Sequence, residues 1–282
     1  MAKILSGKEV SQDLTAKLIS EVEQLKKEGV NPTLAFIRVG ENPSDMAYER
    51  GATKKAEKIG VETVEYAFDE NVSQEELLGA LDEINGNENI HGVLMFRPLP
   101  KRLDEDYIRN YLDPAKDVDG ITDGSLAGVF ADTGVGYPPC TAEAALEILK
   151  YYGVNMKGER AVVIGRSLVV GKPAMMMLMK ENATVSCCHS RTPDDQKVDL
   201  CQNASILVVA TGRINTVTEE HVNDNQIIVD VGINFDEAGN MVGDCDFAHV
   251  ADNVKAITPV PGGVGTVTTT LLMKHVVEAA KK

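Results

Sequence analysis

The feature that most restricts this chain is an alternation of short apolar runs with longer amphipathic segments, repeated twice along its 282 residues. Between residues 8 and 29, Val10, Leu14, Leu18, Val22 and Leu25 recur at helical spacing, and Gly29 supplies a stop. The run at 33–39, TLAFIRV, reads as a buried strand. Pro43 and Ser44 open a helix running to about residue 59, Gly60 follows it, and 61–68 alternates as a strand. Ser73 and Glu76 form a capping-box pattern ahead of a helix through Ile84, and 90–96 is a third strand. Strands that alternate with helices predict a parallel, helix-covered sheet, so the first half is α/β.

A glycine-rich, irregular stretch at 121–139 reads as a boundary or an active-site loop, and a helix over 141–152 links the halves. A second alternation then begins. Apolar runs at 161–164, 184–188, 206–209, 227–231 and 254–257 read as strands, 173–180 as a Met-rich helix, and 268–281 as the last helix. Two α/β units in tandem predict a cleft between them, with ligands at the carboxyl ends of strands.

Composition narrows the partners. Twenty-eight Lys and Arg stand against 43 Asp and Glu, a formal net charge of -15, which argues against a nucleic-acid-binding surface. An anionic small ligand then needs a local site working against the global field. No apolar run approaches the roughly 20 residues of a membrane span, and the N-terminus passes into an amphipathic segment with no signal-peptide core. Five cysteines, an odd number without a CxxC pair, fit reduced cytoplasmic thiols, and five scattered histidines without an HExxH pair predict no metal.

Several segments carry candidate chemistry. Gly165-Arg166-Ser167-Leu168-Val169-Val170-Gly171 follows an apolar strand and precedes a helix. Its glycines allow close backbone approach to a phosphate, the helix start offers free N–H groups, and Arg166 could add a bidentate contact. The spacing is not GxGxxG, and a tight turn with a solvent-facing Arg fits it equally. After the next strand, His189-Ser190-Arg191-Thr192 sits where an acidic residue would accept the ribose 2′-OH of NAD; Ser and Arg suit a 2′-phosphate and favour NADP over NAD, while a polar loop with one basic residue is the plainer account. The run Pro259-Val260-Pro261-Gly262-Gly263-Val264-Gly265 ahead of a threonine-rich helix start suggests backbone close to a ligand, or a loop with a helix cap. Lys116-Asp117-Val118-Asp119-Gly120 offers carboxylates for a polar heterocycle, or an Asp-Gly turn. Tyr48 lies on the helix from Pro43 and could stack on a ring or sit half-buried. Cys140, with no His near it in sequence, reads as a small buried residue, and Met175, Met176, Met177 and Met179 read as gap-filling core.

Taken together, the ordered motifs resemble the methylenetetrahydrofolate dehydrogenase/methenyltetrahydrofolate cyclohydrolase family over nearly the whole chain. They include Val39-Gly40 with Ser44 and Tyr48, Pro98-Leu99-Pro100, Lys116 to Gly120, Pro139-Cys140-Thr141, Gly165-Arg166-Ser167 with Val170-Gly171, and Ala183-Thr184-Val185. They continue through His189-Ser190, Ala210-Thr211-Gly212, Asp230-Val231-Gly232-Ile233-Asn234 and 259–265. The resemblance implies two α/β domains: a folate domain of 1–139 plus the C-terminal helix 267–282, and a Rossmann-like NAD(P)-binding domain with a parallel sheet at 140–266. It implies a homodimer, and oxidation of 5,10-methylenetetrahydrofolate to the 5,10-methenyl form, then hydrolysis to 10-formyltetrahydrofolate. Carried over, Tyr48 lies against the folate ring, Asp119 anchors the pterin, and Met95, Phe96, Arg97 and Pro261, Gly262, Gly263, Val264 and Gly265 line the folate site. Gly165, Arg166, Ser167, Ser190, Arg191, Thr211, Gly212 and Ile233 meet NADP, with NAD the other cofactor open to it.

Two positions depart from the family. The catalytic Lys expected one turn after Tyr48 is Ala52, and the Gln expected before the Pro-Leu-Pro segment is Phe96. Hydride transfer from the methylene carbon needs no protein-borne proton, whereas hydrolysis of the methenyl cation relies on acid–base catalysis of about 10²–10⁴-fold. The expectation is a dehydrogenase with impaired or absent cyclohydrolase. Lys55, within about 20° of Tyr48's direction but about 10 Å along the helix, is the alternative base for a fully bifunctional enzyme. A non-catalytic folate- or nucleotide-binding subunit is the remaining reading, which the intact cofactor motifs oppose.

Overall fold

The computed structural model describes residues 2–282. A short strand, β1 (Lys3–Ile4), leads into a long helix, α1 (Gly7–Lys27). Then come β2 (Thr33–Val39), α2 (Pro43–Ile59), β3 (Glu62–Phe68), α3 (Gln74–Gly86) and β4 (Gly92–Met95). Three helices follow: α4 (Glu105–Tyr111), α5 (Asp123–Ala131) and α6 (Cys140–Tyr151). The second alternation is β5 (Arg160–Ile164), α7 (Gly171–Lys180), β6 (Thr184–Cys188), α8 (Asp194–Gln202), β7 (Ile206–Val209) and β8 (Ile227–Asp230). A hairpin of β9 (Asn234–Phe235) and β10 (Met241–Val242) precedes the one-turn α9 (Phe247–Val250), β11 (Ala256–Ile257) and α10 (Thr268–Ala279).

The chain divides into two compact units. One comprises Asp13–Cys140 with Thr269–Lys282; the other comprises the N-terminal residues through Gln12 with Thr141–Thr268. The first holds a three-stranded parallel sheet in the order β3-β2-β4. The strands β2 and β4 are almost wholly buried, and Leu77, Leu81 and Ile84 of α3 pack with Ala35, Ile37 and Val93 in one apolar core. β3 pairs only with β2 and is largely exposed. Ser73 caps α3 by accepting from the Glu76 N–H at 3.1 Å.

The second unit holds a six-stranded, all-parallel sheet in the order β1-β11-β8-β7-β5-β6. The chain steps from β5 to β6 in one direction and returns through β7, β8 and β11 in the other. The order therefore reverses between β5 and β7, the point where doubly wound sheets bind ligands.

Three expectations are corrected. The residues before Asp13 belong with the six-stranded unit, because Lys3 and Ile4 pair in parallel register with Ala256 and Ile257. The stretch 121–139 is not irregular throughout: α5 occupies its first half, capped by Thr122, which accepts from the Ser125 N–H at 3.0 Å. Gly128 within it serves packing, since a Cβ there would lie 2.0 Å from the Val135 carbonyl oxygen. The α7 methionines are only partly core, with Met179 54% exposed. Among the described residues no helix is long and apolar enough to cross a membrane, and no three His, Cys, Asp or Glu side chains cluster so as to hold a metal ion.

Candidate functional site

In the six-stranded unit the switch-point loop runs from Gly165 to the start of α7. Gly165 has φ +126°, and a Cβ there would meet the Ala210 carbonyl oxygen at 2.2 Å, so only glycine lets the ends of β5 and β7 approach this closely. Gly171 is similarly confined, 2.2 Å from the Gly165 carbonyl oxygen. The start of α7 has no side-chain cap; the Ser167 hydroxyl instead accepts from the Val170 N–H at 3.1 Å. Arg166 and Ser167 are exposed. An uncapped helix start beside an exposed guanidinium is suited to a phosphate. After β6, the Thr192 hydroxyl accepts from the His189 N–H at 3.0 Å and His189 Nδ1 accepts from the Arg191 N–H at 3.2 Å. This tight turn leaves Ser190 and Arg191 exposed at its tip.

The expected cofactor contacts Thr211 and Gly212 lie in a loop held from within the protein. Their N–H groups donate to Asp244 Oδ2 at 2.5 and 3.0 Å, and the Thr211 hydroxyl also reaches that oxygen at 3.0 Å. Asp244 Oδ1 accepts from the Arg213 N–H at 3.0 Å and from Asn234 Nδ2 at 2.9 Å. The loop's backbone donors are therefore already engaged by a fully buried carboxylate. Asp230 performs a related task, accepting from the N–H groups of Gly232, Asp244 and Cys245 at 2.9–3.1 Å. Burial pushes its carboxyl up to about 6. The sequence reading did not single out Asp244. Its only local signal is Gly243 beside it, where a Cβ would lie 2.0 Å from Asp230 Oδ2. A cavity of about 220 Å³ in this unit is lined by Asp230, Ile233, Met241 and 259–266. It gathers Ile233 and Pro261 to Gly265, residues that are apart in sequence.

In the three-stranded unit, Asn42 caps α2 by accepting from the Ser44 N–H at 2.9 Å, with Pro43 in the first turn. Tyr48 on this helix is 41% exposed and meets Phe96 edge-on, centroids 6.2 Å apart at 80°. Phe96 in turn stacks on Phe36 at 6.3 Å. Ala52, one turn beyond Tyr48, is 1% exposed and presents only a methyl group. Between them, Glu49 is buried and paired with Arg38 at 2.9 Å. Met95, expected at the folate site, belongs instead to the apolar core, because alternation along β4 sends its side chain to the face opposite Phe96. Lys55 reaches Thr15 of α1 at 3.4 Å, and burial, followed by Lys58, lowers its pKa. Arg97 pairs with Glu105 at 3.4 Å, and Glu105 also accepts from the Leu99 N–H at 2.7 Å, which holds the loop after β4.

The two carboxylates of the 116–120 segment have different surroundings. Asp117 is fully buried and accepts from the Ile121 N–H, the Thr122 N–H and the Ser125 hydroxyl at 2.7–3.0 Å. Asp119 is pushed up to about 6, first by burial and then by Asp117, against the lowering effects of a Cys140 hydrogen bond, Arg97 and His275. Cys140 is buried as expected, yet it does have a histidine beside it: His275 Nδ1 lies 3.7 Å from its sulfur.

A doubly wound parallel sheet with an uncapped helix start at its switch point defines the class of dinucleotide-binding, Rossmann-like α/β proteins. Comparison with known proteins narrows this. The family described as tetrahydrofolate dehydrogenase/cyclohydrolase matches through its catalytic domain at residues 5–119 and its NAD(P)-binding domain at residues 139–282. The chain is 48% identical to the bifunctional protein FolD of Carboxydothermus hydrogenoformans, over 100% of this chain and 98% of that relative. It is similar to the crystal structure of the bifunctional FolD methylenetetrahydrofolate dehydrogenase/cyclohydrolase from Campylobacter jejuni, with a TM-score of 0.96, 36% identity, and coverage of 100% and 99% of the two chains. It is also similar to the Trypanosoma brucei FolD complexed with NADP cofactor and inhibitor, with a TM-score of 0.91, 31% identity, and coverage of 99% and 97%. The chain belongs to the tetrahydrofolate dehydrogenase/cyclohydrolase family.

Proposed function

We propose that this chain oxidises 5,10-methylenetetrahydrofolate to the 5,10-methenyl form with NADP, and that its hydrolysis of the methenyl product is weak. The observation that carries the proposal is what stands beside Tyr48: a buried methyl group at Ala52 and a phenyl ring at Phe96. Neither group can move a proton, so neither can supply the acid–base assistance that hydrolysis needs. Oxidation makes no such demand. Bound NADP would supply the hydride acceptor through its nicotinamide ring.

The residues of this chain bind and orient. The α7 start with Arg166 and Ser167 suits the pyrophosphate, and exposed Ser190 and Arg191 suit a 2′-phosphate, which favours NADP over NAD. Ile233 and 261–265 line a cavity of about 220 Å³, a volume that suits part of a ring system. Asp119 supplies acceptor oxygens for the N–H groups of the pterin, and Tyr48 offers a half-exposed aromatic face to its ring. Five free cysteines fit work in the cytoplasm. The one-sided pairing of β3 supports a homodimer formed along that edge, checked by light scattering of wild type and Val64→Lys.

A second reading, full bifunctionality, is supported by the 48% identical relative named bifunctional and by the lowered pKa of Lys55. Its weakness is that Lys55 is engaged at Thr15 on α1. Purified protein assayed for NADP-dependent oxidation and for methenyltetrahydrofolate decay separates the two. Hydrolysis at a rate comparable to oxidation, abolished by Lys55→Ala, would establish the second reading. Slow hydrolysis, raised by Ala52→Lys with Phe96→Gln, would establish the first.

A further inference from the structure

We propose that His275 is a positioning residue for the substrate: from α10 it holds the Val118 carbonyl beside the Cys140 thiol, and so presents the Asp119 carboxylate to the pterin. The proposal rests on Asp119 being the pterin anchor. His275 is 1% exposed, and its Nδ1 lies 2.7 Å from the Val118 carbonyl oxygen. A carbonyl oxygen only accepts, so Nδ1 carries the proton, which sets the tautomer. Cys140 Sγ is 3.4 Å from the same oxygen and also within hydrogen-bonding reach of Asp119. The thiol has one proton and two acceptors. The Val118 carbonyl has a second lone pair, so with Nδ1–H on one of them the thiol proton is shared between that oxygen and the carboxylate, the stronger acceptor.

The seat is rigid. A Cβ at Gly92 would lie 2.6 Å from Val118 and 3.0 Å from Val276, so the start of β4, the Asp119 loop and α10 are packed without slack. The charged and titratable groups around Asp119 are Asp117, Cys140, Arg97 and His275. Asp117 has its own three donors, and Arg97 is paired with Glu105. Cys140 and His275 remain as the adjustable pair.

The test is steady-state dehydrogenase kinetics between pH 5 and 9 on His275→Leu, His275→Asn, Cys140→Ala and Asp119→Asn. His275→Leu is expected to raise the folate KM about fivefold, with the cofactor KM unchanged. It should also move the acid limb of kcat/KM upward by about half a pH unit, because an influence that keeps Asp119 ionised is removed. His275→Asn should recover the wild-type KM, since its amide can donate to Val118. A purely structural histidine would lower Tm without moving the acid limb. Cys140→Ala reads the same limb should His275→Leu fail to fold. If Asp119→Asn weakens folate binding while the folded His275 and Cys140 variants keep wild-type KM and acid limb, the proposal is overturned. If Asp119→Asn itself leaves the folate KM unchanged, it is the anchor reading that fails.

Discussion

The loop that begins at Asp117 and the loop that runs from Asp230 to Cys245 both contain a pair of buried or half-buried carboxylates, and they use them differently. In the six-stranded unit both members are committed to the protein. Asp244 accepts from Thr211, Gly212, Arg213 and Asn234, and Asp230 accepts from three backbone N–H groups. In the three-stranded unit only Asp117 is saturated in this way, while Asp119, two residues on, keeps acceptor capacity and is held at a raised pKa. A buried carboxylate that collects its full set of backbone donors fixes a loop; one left short of donors keeps oxygens able to accept from a ligand.

The largest expected effect that could break this contrast is at Asp244. Replacing it with Ala strands several buried donors and should cost about 3 kcal/mol, read as a lower urea midpoint with unchanged m value. A loss under about 1 kcal/mol would show that the loop is held elsewhere. Next is Asp119→Asn, expected to lower kcat/KM for the folate about 10²-fold, the scale of a charge-assisted pair of hydrogen bonds.

The same substitution should have the opposite sign on stability. A carboxyl raised to about 6 when folded favours the folded state most below about pH 4, and that contribution is lost as pH rises through about 6. Removing the charge should therefore stabilise the protein by about 3 kcal/mol at pH 8 and by only about 1 kcal/mol at pH 4.5, measured by Tm at both values. A destabilised Asp119→Asn at pH 8 would make Asp119 a second Asp117. The smallest effect sharpens the nucleotide side. Arg191→Ala should raise the NADP KM about tenfold with little change for NAD, whereas Arg166→Ala should raise both.

Much of this was legible in the sequence because the relevant patterns are local. TLAFIRV, the Pro43 helix start and the Ser73 cap are each written within a few residues, and the corresponding elements form there. The helices α4, α5 and α8 were not read, for a physical reason: they are seven to nine residues long, too short for a clear helical period. β1, with two residues, carries no pattern and acquires its structure only by pairing with β11. Ala52 and Phe96 were visible as departures, and the aromatic contact between Phe96 and Tyr48 gives them a physical setting. Spacing alone does not distinguish Asp117 from Asp119, since the two flank one valine symmetrically, and it is the family resemblance that singles out Asp119. The physical difference lies in the donors that the segment around the α5 start supplies to Asp117. Cys140 and His275 are 135 positions apart, so no spacing rule could have joined them.

The way the chain passes between its units bears on its biosynthesis. Neither unit is a continuous stretch: one closes with Thr269–Lys282, and the other takes its sixth strand from residues 3 and 4. As the polypeptide leaves the ribosome, the three-stranded unit must wait for α10 before its core and the Asp119 seat are complete. A stalled or truncated product ending near residue 268 would carry every strand of every sheet and still lack the helix whose His275 bonds the Val118 carbonyl beside Asp119.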